Sequence, residues 1–93
     1  MTRETKTLRV ELYGLPALLI GQRRIEVAAA TLQELVHTLA AQFPPLCGTV
    51  IDPERHWLNR GYTFVVDGRF TRDPATPLRP DSEVLLVAAQ AGG

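Results

Sequence analysis

The sequence predicts an α+β fold, in which one main helix packs on one face of a mixed sheet of four to five strands. Three observations support this prediction: residues near the N-terminus alternate as in a half-buried strand, a helical apolar stripe follows, and an apolar run lies near the end of the chain. The chain has 93 residues, of which 45% are hydrophobic and 22% charged. A chain of this length has room for one modest core, so we expect a single globular domain.

The N-terminal part of the chain predicts a hairpin of two strands. Residues 7–14, TLRVELYG, alternate with the period of two that a strand with one buried face requires. A turn is predicted at residues 14–16, and a short alternating pair follows it. The apolar positions of the two strands, which should face the core, are Leu8, Val10, Leu12, Ile25 and Val27.

The clearest predicted element is a helix that begins after Thr31. Thr31 and Glu34 have the spacing of a capping box, in which the Thr hydroxyl and the Glu carboxylate each accept a hydrogen bond from a free backbone N–H. Pro44 and Pro45 should end the helix, because a proline nitrogen cannot donate a helical hydrogen bond. The apolar stripe that must pack on the sheet contains Leu32, Leu35, Val36, Leu39, Ala40 and Phe43.

The second half of the chain predicts a connection, a hairpin and a final strand. Residues 44–61 are irregular, but their apolar residues should fold back over the core, with room for a helical turn. Residues 62–70, YTFVVDGRF, indicate a strand that enters a tight turn, since Asp67-Gly68 suits the positive φ angles of a type I′ hairpin. Residues 82–89, SEVLLVAA, predict a mostly buried strand.

This order of elements is that of the β-grasp, or ubiquitin-like, fold. A hairpin, a crossing helix, a long connection and three further strands can form one sheet in which the last strand lies parallel to the first at the centre. We therefore assign residues 1–87 to a β-grasp domain and residues 88–93 to a flexible C-terminal tail that ends in Gly-Gly.

Composition argues against two classes of partner. Ten Lys and Arg balance ten Asp and Glu, and the basic residues are scattered, so no basic stripe for nucleic acid is expected. The first residues lack a signal-peptide core, and no run approaches the ~20 apolar residues of a membrane span. The expectation is a cytoplasmic protein that binds neither nucleic acid nor membrane.

The sequence carries no recognisable enzyme motif. A single cysteine, Cys47, excludes an internal disulfide and a cysteine-ligated cluster. A metal site of His37, Cys47 and His56 would need three elements to converge without the spacing of a ligand motif. The glycines are isolated, and no carboxylates are paired at a recognisable spacing. We therefore predict no catalytic residue, no metal and no bound cofactor.

Three segments of the chain together resemble a known family: the helix opening TLQELVHTLA, the strand and turn YTFVVDGRF, and the closing segment DPATPLRPDSEVLLVAAQAGG. The family that they resemble is the MoaD/ThiS family of ubiquitin-like sulfur carriers. In the closing segment the pairs Pro77-Leu78, Glu83-Val84 and Gly92-Gly93 match the family, whereas Pro80-Asp81-Ser82 and Ala88-Ala89-Gln90 depart from it. These two departures do not alter the resemblance to the family, but they argue against assigning the chain to one particular branch of it.

The resemblance implies that the C-terminus is the working part of the protein. In the family, an ATP-dependent E1-like enzyme adenylates the terminal carboxylate, here that of Gly93, and a sulfur donor converts the adenylate to a thiocarboxylate. ATP is then a substrate of the activating enzyme, and the carrier is a co-substrate without catalytic groups. Glycine has no Cβ, so Gly92 and Gly93 can enter a narrow channel in a partner, and Ala91 extends this slender segment.

Strand parity predicts a docking face beside the tail. If Phe64 and Leu86 point towards the helix, then Val65, Leu85 and Val87 point to the other face of the sheet. A soluble monomer rarely exposes such an apolar patch without a partner, and partners bind the corresponding face of ubiquitin-like proteins. The alternative is that the connection of residues 44–61 covers this face.

Several acceptors of the sulfur remain open. The long connection looks more like the small subunit of molybdopterin synthase, or like carriers for cysteine and secondary-metabolite synthesis, than like the shorter thiamine carrier. In the first case Gly93 would enter a large-subunit active site, and in the second it would deliver sulfur to a free-standing synthase. A protein modifier joined through Gly93 to substrate lysines and a purely structural interaction domain are hypotheses of other classes.

Overall fold

The computed structural model describes residues 7–89 of the chain. Its helices are α1 (Leu15–Ile20) and α2 (Leu32–Gln42), followed by a 3-10 turn at Pro44–Leu46. Its strands are β1 (Leu8–Leu12), β2 (Arg24–Val27), β3 (Ile51–Asp52), β4 (Trp57–Leu58), β5 (Tyr62–Val66), β6 (Arg69–Thr71) and β7 (Glu83–Ala88). None of the helices within residues 7–89 is long and apolar enough to cross a membrane.

Five of the strands form one mixed sheet in the order β2-β1-β7-β5-β6. β1 runs antiparallel to β2 and parallel to β7, and β5 runs antiparallel to both β7 and β6. The last strand therefore occupies the middle of the sheet with the first strand beside it. This topology confirms the predicted β-grasp fold.

Helix α2 covers one face of the sheet and is capped as predicted. The Thr31 hydroxyl accepts a hydrogen bond from the Glu34 N–H at 3.2 Å, and the Glu34 carboxylate accepts one from the Ala30 N–H at 2.8 Å. The carboxylate thus reaches one residue further back than in the usual capping box. The fully buried side chains of the helix are Leu32, Leu35, Val36 and Leu39, with Ala40 and Phe43 partly buried beside them.

The connection between α2 and β5 folds back over the core and lies on the helix side of the molecule. The 3-10 turn contacts α1 and α2, and β4 contacts α2. β3 and β4 pair as a short antiparallel hairpin. Leu46, Val50 and Leu58 are fully buried, and the Trp57 ring packs 6.0 Å from that of Phe64. Trp57 therefore helps to close the core, as predicted for the apolar residues of this connection.

Helix α1 replaces the simple turn expected between the first two strands. Gly14 precedes it with a φ of 71°, Pro16 lies in its first turn, and Gly21 ends it in the left-handed region at φ 74°. Pro16 favours a helix start because the N–H it lacks would be unbonded there. The helix has only six residues, and its leucines are partly or largely exposed, so no long apolar stripe marks it in the sequence.

The β5–β6 hairpin has the predicted turn. Asp67 and Gly68 both adopt positive φ angles, 51° and 85°, as a type I′ turn requires. The Asp67 carboxylate also accepts a hydrogen bond from the Glu83 N–H at 2.9 Å, and the Asp67 N–H donates to the Glu83 carbonyl at 2.8 Å. The turn thereby fixes the start of β7.

Candidate docking face and tail root

The sheet presents an outer face, opposite α2, on which the three patch residues lie together. Val65 is the partner of Leu85 across β5 and β7, and Thr63 is the partner of Val87. Phe64 and Leu86, the alternate residues, are fully buried on the α2 side. Val65, Leu85 and Val87 are half-buried, so the predicted parity is observed. Because the connection of residues 44–61 packs against α1 and α2 instead, the alternative that it covers this face is wrong.

An open groove of about 740 Å³ runs over this patch. Phe70, the partner of Val65 on β6, forms one side with 74% of its surface exposed, and Tyr13 forms the other with 48% exposed. The groove lining, mostly apolar, consists of Tyr13, Thr63, Val65, Phe70, Arg72, Leu85, Val87, Ala88 and Ala89. An exposed apolar groove of this kind is typical of a surface that binds another protein.

Tyr13 marks the border between the apolar and the charged halves of the outer face. Its hydroxyl donates a 2.8 Å hydrogen bond to the Glu11 carboxylate. This bond and the negative charge of Glu11 raise the pKa of Tyr13 above its ordinary value, so the phenol is neutral at neutral pH. Beyond Glu11 the outer face of β1, β2 and the start of β7 carries the charged side chains of Arg9, Arg24, Glu26 and Glu83.

The root of the C-terminal tail lies at the end of the groove. Ala88 pairs with Tyr62, so β7 runs one residue into the segment that the sequence assigned to the tail. The Ala89 N–H then donates a 2.7 Å hydrogen bond to the Gly61 carbonyl. Ala91, Gly92 and Gly93, the predicted threading and sulfur-carrying residues, lie outside the described residues.

The turn that holds the tail root is itself held from two sides. Arg72 donates hydrogen bonds from its guanidinium to the carbonyls of Leu58, at 3.2 Å, Asn59, at 3.3 Å, and Tyr62. On the other side the Asn59 side-chain amide donates to the carbonyls of residues 48 and 49 at 3.2 and 3.0 Å. The Gly61 carbonyl, which accepts the hydrogen bond from the Ala89 N–H, lies within this turn.

The two histidines lie in contact, which no pattern in the sequence predicts. The rings of His37, on α2, and His56, in the β3–β4 turn, stack with centroids 5.0 Å apart. His56 has a positive φ of 56°, and its carbonyl accepts a 2.9 Å hydrogen bond from the Gln33 side chain. Cys47 does not join them: its thiol lies 3.8 Å from the Ala40 carbonyl. Within residues 7–89 no group of three or more His, Cys, Asp or Glu residues is arranged to hold a metal ion.

Three residues of this region were missed by the sequence reasoning. Phe70 could have been found by extending the parity argument from Val65 across the type I′ turn to β6. Tyr13 follows β1 directly, where the alternation of TLRVELYG places it on the outer face. Arg72 has no such signal, because its contacts depend on the tertiary position of residues 58–62.

The fold and the groove beside the last strand define this chain as a ubiquitin-like β-grasp protein. A model of the ThiS family matches residues 10–93, and the chain therefore belongs to the ThiS family. This agrees with the resemblance of its closing segment to ubiquitin-like sulfur carriers. Among curated proteins no significant sequence match is found.

Several solved structures have a similar fold at low sequence identity. SAMP1 from Haloferax volcanii has a TM-score of 0.78 and 19% identity, with 94% of this chain and 99% of that chain covered. A chain of the Amycolatopsis orientalis BexX/CysO complex has a TM-score of 0.74 and 17% identity, with 92% and 99% covered. The putative molybdopterin converting factor subunit 1 from Pyrococcus furiosus has a TM-score of 0.71 and 15% identity, with 88% and 95% covered. At these identities the likeness shows the shared β-grasp fold.

Proposed function

We propose that this protein is a sulfur carrier whose Gly93 carboxylate is activated by a partner enzyme and converted to a thiocarboxylate. The observation that carries the proposal is the position of β7. The central strand of this ThiS-family chain ends beside an exposed apolar groove, and Gly92 and Gly93 lie three and four residues beyond Ala89. Docking through the groove would bring the tail to the partner that holds ATP.

The proposed chemistry has two steps. In the first, a carboxylate oxygen of Gly93 attacks the α-phosphorus of ATP, and the acyl adenylate forms as pyrophosphate leaves. In the second, a sulfide equivalent from a donor attacks the acyl carbon, and AMP leaves with the oxygen that linked it to the carbonyl. The carbonyl becomes a good electrophile only after the first step, since AMP is a far better leaving group than an oxide ion. The carrier supplies the reacting carboxylate, and the enzyme supplies the catalytic groups and the ATP.

The groove provides the docking surface in this proposal. Val65, Leu85 and Val87 form its floor, and the aromatic side chains of Phe70 and Tyr13 form its sides. Large aromatic side chains are common energetic anchors when an interface buries them. Ala91 and Gly92 would then follow into the enzyme's channel, where a bulkier side chain would not fit.

The sulfur acceptor in the proposal is a biosynthetic synthase in the cytoplasm. The two acceptors favoured by the sequence are a molybdopterin synthase large subunit and a free-standing synthase for cysteine or a secondary metabolite. In the first case the protein would be a subunit of an enzyme, and in the second a co-substrate. Co-purification of the tagged carrier under native conditions, followed by identification of the bound protein, distinguishes the two.

The test of the proposal is intact-mass spectrometry of the chain ending at Gly93. The protein is incubated with a candidate E1-like enzyme, ATP and a sulfide source, and the expected result is the mass gain of one oxygen replaced by sulfur. The gain should need ATP and should vanish when Gly93 is deleted. Absence of the gain with several competent E1-like enzymes would overturn the proposal.

A protein modifier is the second candidate, and it shares the adenylation step. The similarity to SAMP1, which a second Haloferax volcanii structure names small archaeal modifier protein 1, favours keeping it. In this case a substrate lysine, rather than sulfide, attacks the activated carbonyl. A ladder of high-mass conjugates on blots of the tagged protein, abolished by deletion of Gly92-Gly93, would support modification. Lys6 is the chain's single lysine, so lysine-linked self-chains could form at that residue alone.

A further inference from the structure

We infer that Arg72 is a positioning residue for the C-terminal tail. The inference rests on the proposed function, because it concerns how the tail is presented to the activating enzyme. Arg72 follows β6 directly and does not pack in the core. Its guanidinium donates hydrogen bonds to backbone carbonyls of residues 58–62.

The turn at residues 58–62 is the last support of the tail root. The Tyr62 N–H donates to the Asn59 carbonyl at 3.1 Å, which closes the turn, and the Gly61 carbonyl accepts from the Ala89 N–H at 2.7 Å. This second bond is the last one on the C-terminal side of the described residues. A group that orders this turn therefore also holds the Gly61 carbonyl in place for the Ala89 N–H.

Arg72 is suited to this task by the shape of its side chain. A guanidinium is planar and presents several N–H donors in a rigid fork, so it can hold the carbonyls of Leu58, Asn59 and Tyr62 in one arrangement. A lysine ammonium would carry the same charge but could not reproduce the fork. Asn59 holds the same turn from the opposite side through the carbonyls of residues 48 and 49.

The direction of exit matters because Gly93 is close to Ala89 along the chain. The two residues are four positions apart, and four residues span at most about 14 Å when fully extended. A root that is free to swing would sample many exit directions, most of which cannot reach a partner's active site from a docked groove. A root that is ordered before docking loses less conformational entropy when the partner binds, so binding is more favourable.

The experiment compares Arg72→Ala and Arg72→Lys with the control Arg69→Ala. Arg69 is an exposed arginine on β6 whose guanidinium makes no hydrogen bond within residues 7–89. The first measurement is amide hydrogen exchange by NMR at Ala89, which needs no partner. We expect exchange to quicken by at least about fivefold in both Arg72 variants and to stay unchanged in the control, because local opening of the turn exposes that N–H.

The second measurement is steady-state adenylation by the E1-like enzyme with the carrier as the varied substrate. We expect Arg72→Ala to raise KM by about two- to tenfold and to leave kcat unchanged, since the ordering cost falls on binding. Arg72 also borders the groove, so its loss could weaken docking directly. Asn59→Ala loosens the same turn from the far side and therefore separates support of the turn from docking. It should reproduce both effects without touching the docking face.

Each outcome decides the inference. If the Ala89 amide of folded Arg72→Ala exchanges at the wild-type rate, Arg72 does not hold the turn. If Arg72→Lys exchanges at the wild-type rate, the guanidinium fork is not needed. Faster exchange with an unchanged KM overturns the role in presentation. If no E1-like enzyme adenylates the wild-type protein, the proposed function fails. The exchange measurement alone then decides whether Arg72 holds the turn at residues 58–62.

Discussion

Val65 and Leu85 are direct partners across β5 and β7, and both side chains remain half-buried on the outer face of the sheet. Phe70 is the next residue in the same row, opposite Val65, and it is 74% exposed. The floor of the groove is thus partly buried in the sheet, whereas the Phe70 side chain at its margin is mostly exposed. This division makes it possible to test docking separately from folding.

The first prediction is that Phe70→Asp weakens activation without unfolding the protein. Truncation of an aromatic anchor at an interface commonly lowers affinity by about tenfold or more, and a buried carboxylate adds a desolvation cost. We expect kcat/KM for adenylation to fall by at least about tenfold. The free energy of unfolding should change by less than about 0.5 kcal/mol, as for other surface substitutions. Pyrophosphate release and urea unfolding measure the two quantities.

Leu18→Asp is the matched control for this variant. Leu18 lies on α1 and is 78% exposed, but it borders a separate hollow formed with Gly14, Gly21 and Arg23. Leu85→Asp should also lower activation, although its half-buried position predicts an additional loss of about 1 to 3 kcal/mol in stability. Wild-type activation of folded Phe70→Asp would show that the groove is not the docking face.

The second prediction concerns the slender tail. Gly92→Val should abolish adenylation, because a β-branched side chain restricts the backbone and cannot pass a channel shaped for glycine. The unfolding free energy should stay unchanged, and Ala91→Gly, which makes the tail no wider, should remain active. The measurement is the same pyrophosphate assay with each variant as the varied substrate. An active Gly92→Val protein would contradict the threading argument.

The sheet, α2 and the tight turn could be predicted from local pattern. Leu8 to Leu12 alternate, Thr31 and Glu34 cap a helix, and Asp67-Gly68 fits one turn type, so each element carries its own signal. The position of β7 in the middle of the sheet followed from the order of these elements. Burial alternates along β7, but the run SEVLLVAA does not show this because the outward-facing Leu85 and Val87 are also apolar.

The parts that could not be predicted depend on contacts between distant segments. Helix α1 has six residues, so its short apolar run could not be distinguished from a turn or a frayed strand. The contact of Arg72 with residues 58–62 and the stacking of His37 on His56 join segments that no sequence spacing relates. The groove is intermediate: strand parity predicted that Val65, Leu85 and Val87 share the outer face, whereas Phe70, Tyr13 and Arg72 were missed.

The third prediction tests the cap of α2. Thr31→Ala removes the hydroxyl that accepts from the Glu34 N–H and leaves that N–H unbonded at the helix end. We expect a loss of about 1 kcal/mol in the free energy of unfolding, measured by urea denaturation. Thr49→Ala is the control, since Thr49 is exposed and its hydroxyl makes no hydrogen bond within residues 7–89. Equal stability of the two variants would contradict a capping role.

The last prediction concerns the acid side of the stability profile. A hydrogen bond from the Arg55 guanidinium, at 2.9 Å, and one from the Glu54 N–H hold the pKa of Asp52 below its ordinary value. The folded protein therefore binds a proton at this carboxylate less readily than the unfolded chain does. The stability that Asp52 contributes to the folded protein is present above the unfolded pKa of about 3.9. It is lost as the pH falls through the lower folded pKa.

Asp52→Asn removes this titration and should flatten the acid limb of the profile. Measured as urea midpoints from about pH 5 down to about pH 2, the wild-type protein should lose more stability than the variant does over the same range. Thr49→Ala is the control, because it removes no carboxylate and its exposed hydroxyl makes no hydrogen bond within residues 7–89, and it should follow the wild-type slope. High salt should reduce the difference between wild type and Asp52→Asn, because the ion pair is exposed to solvent. Parallel profiles for Asp52→Asn and wild type would mean that the Asp52–Arg55 pair does not persist in solution.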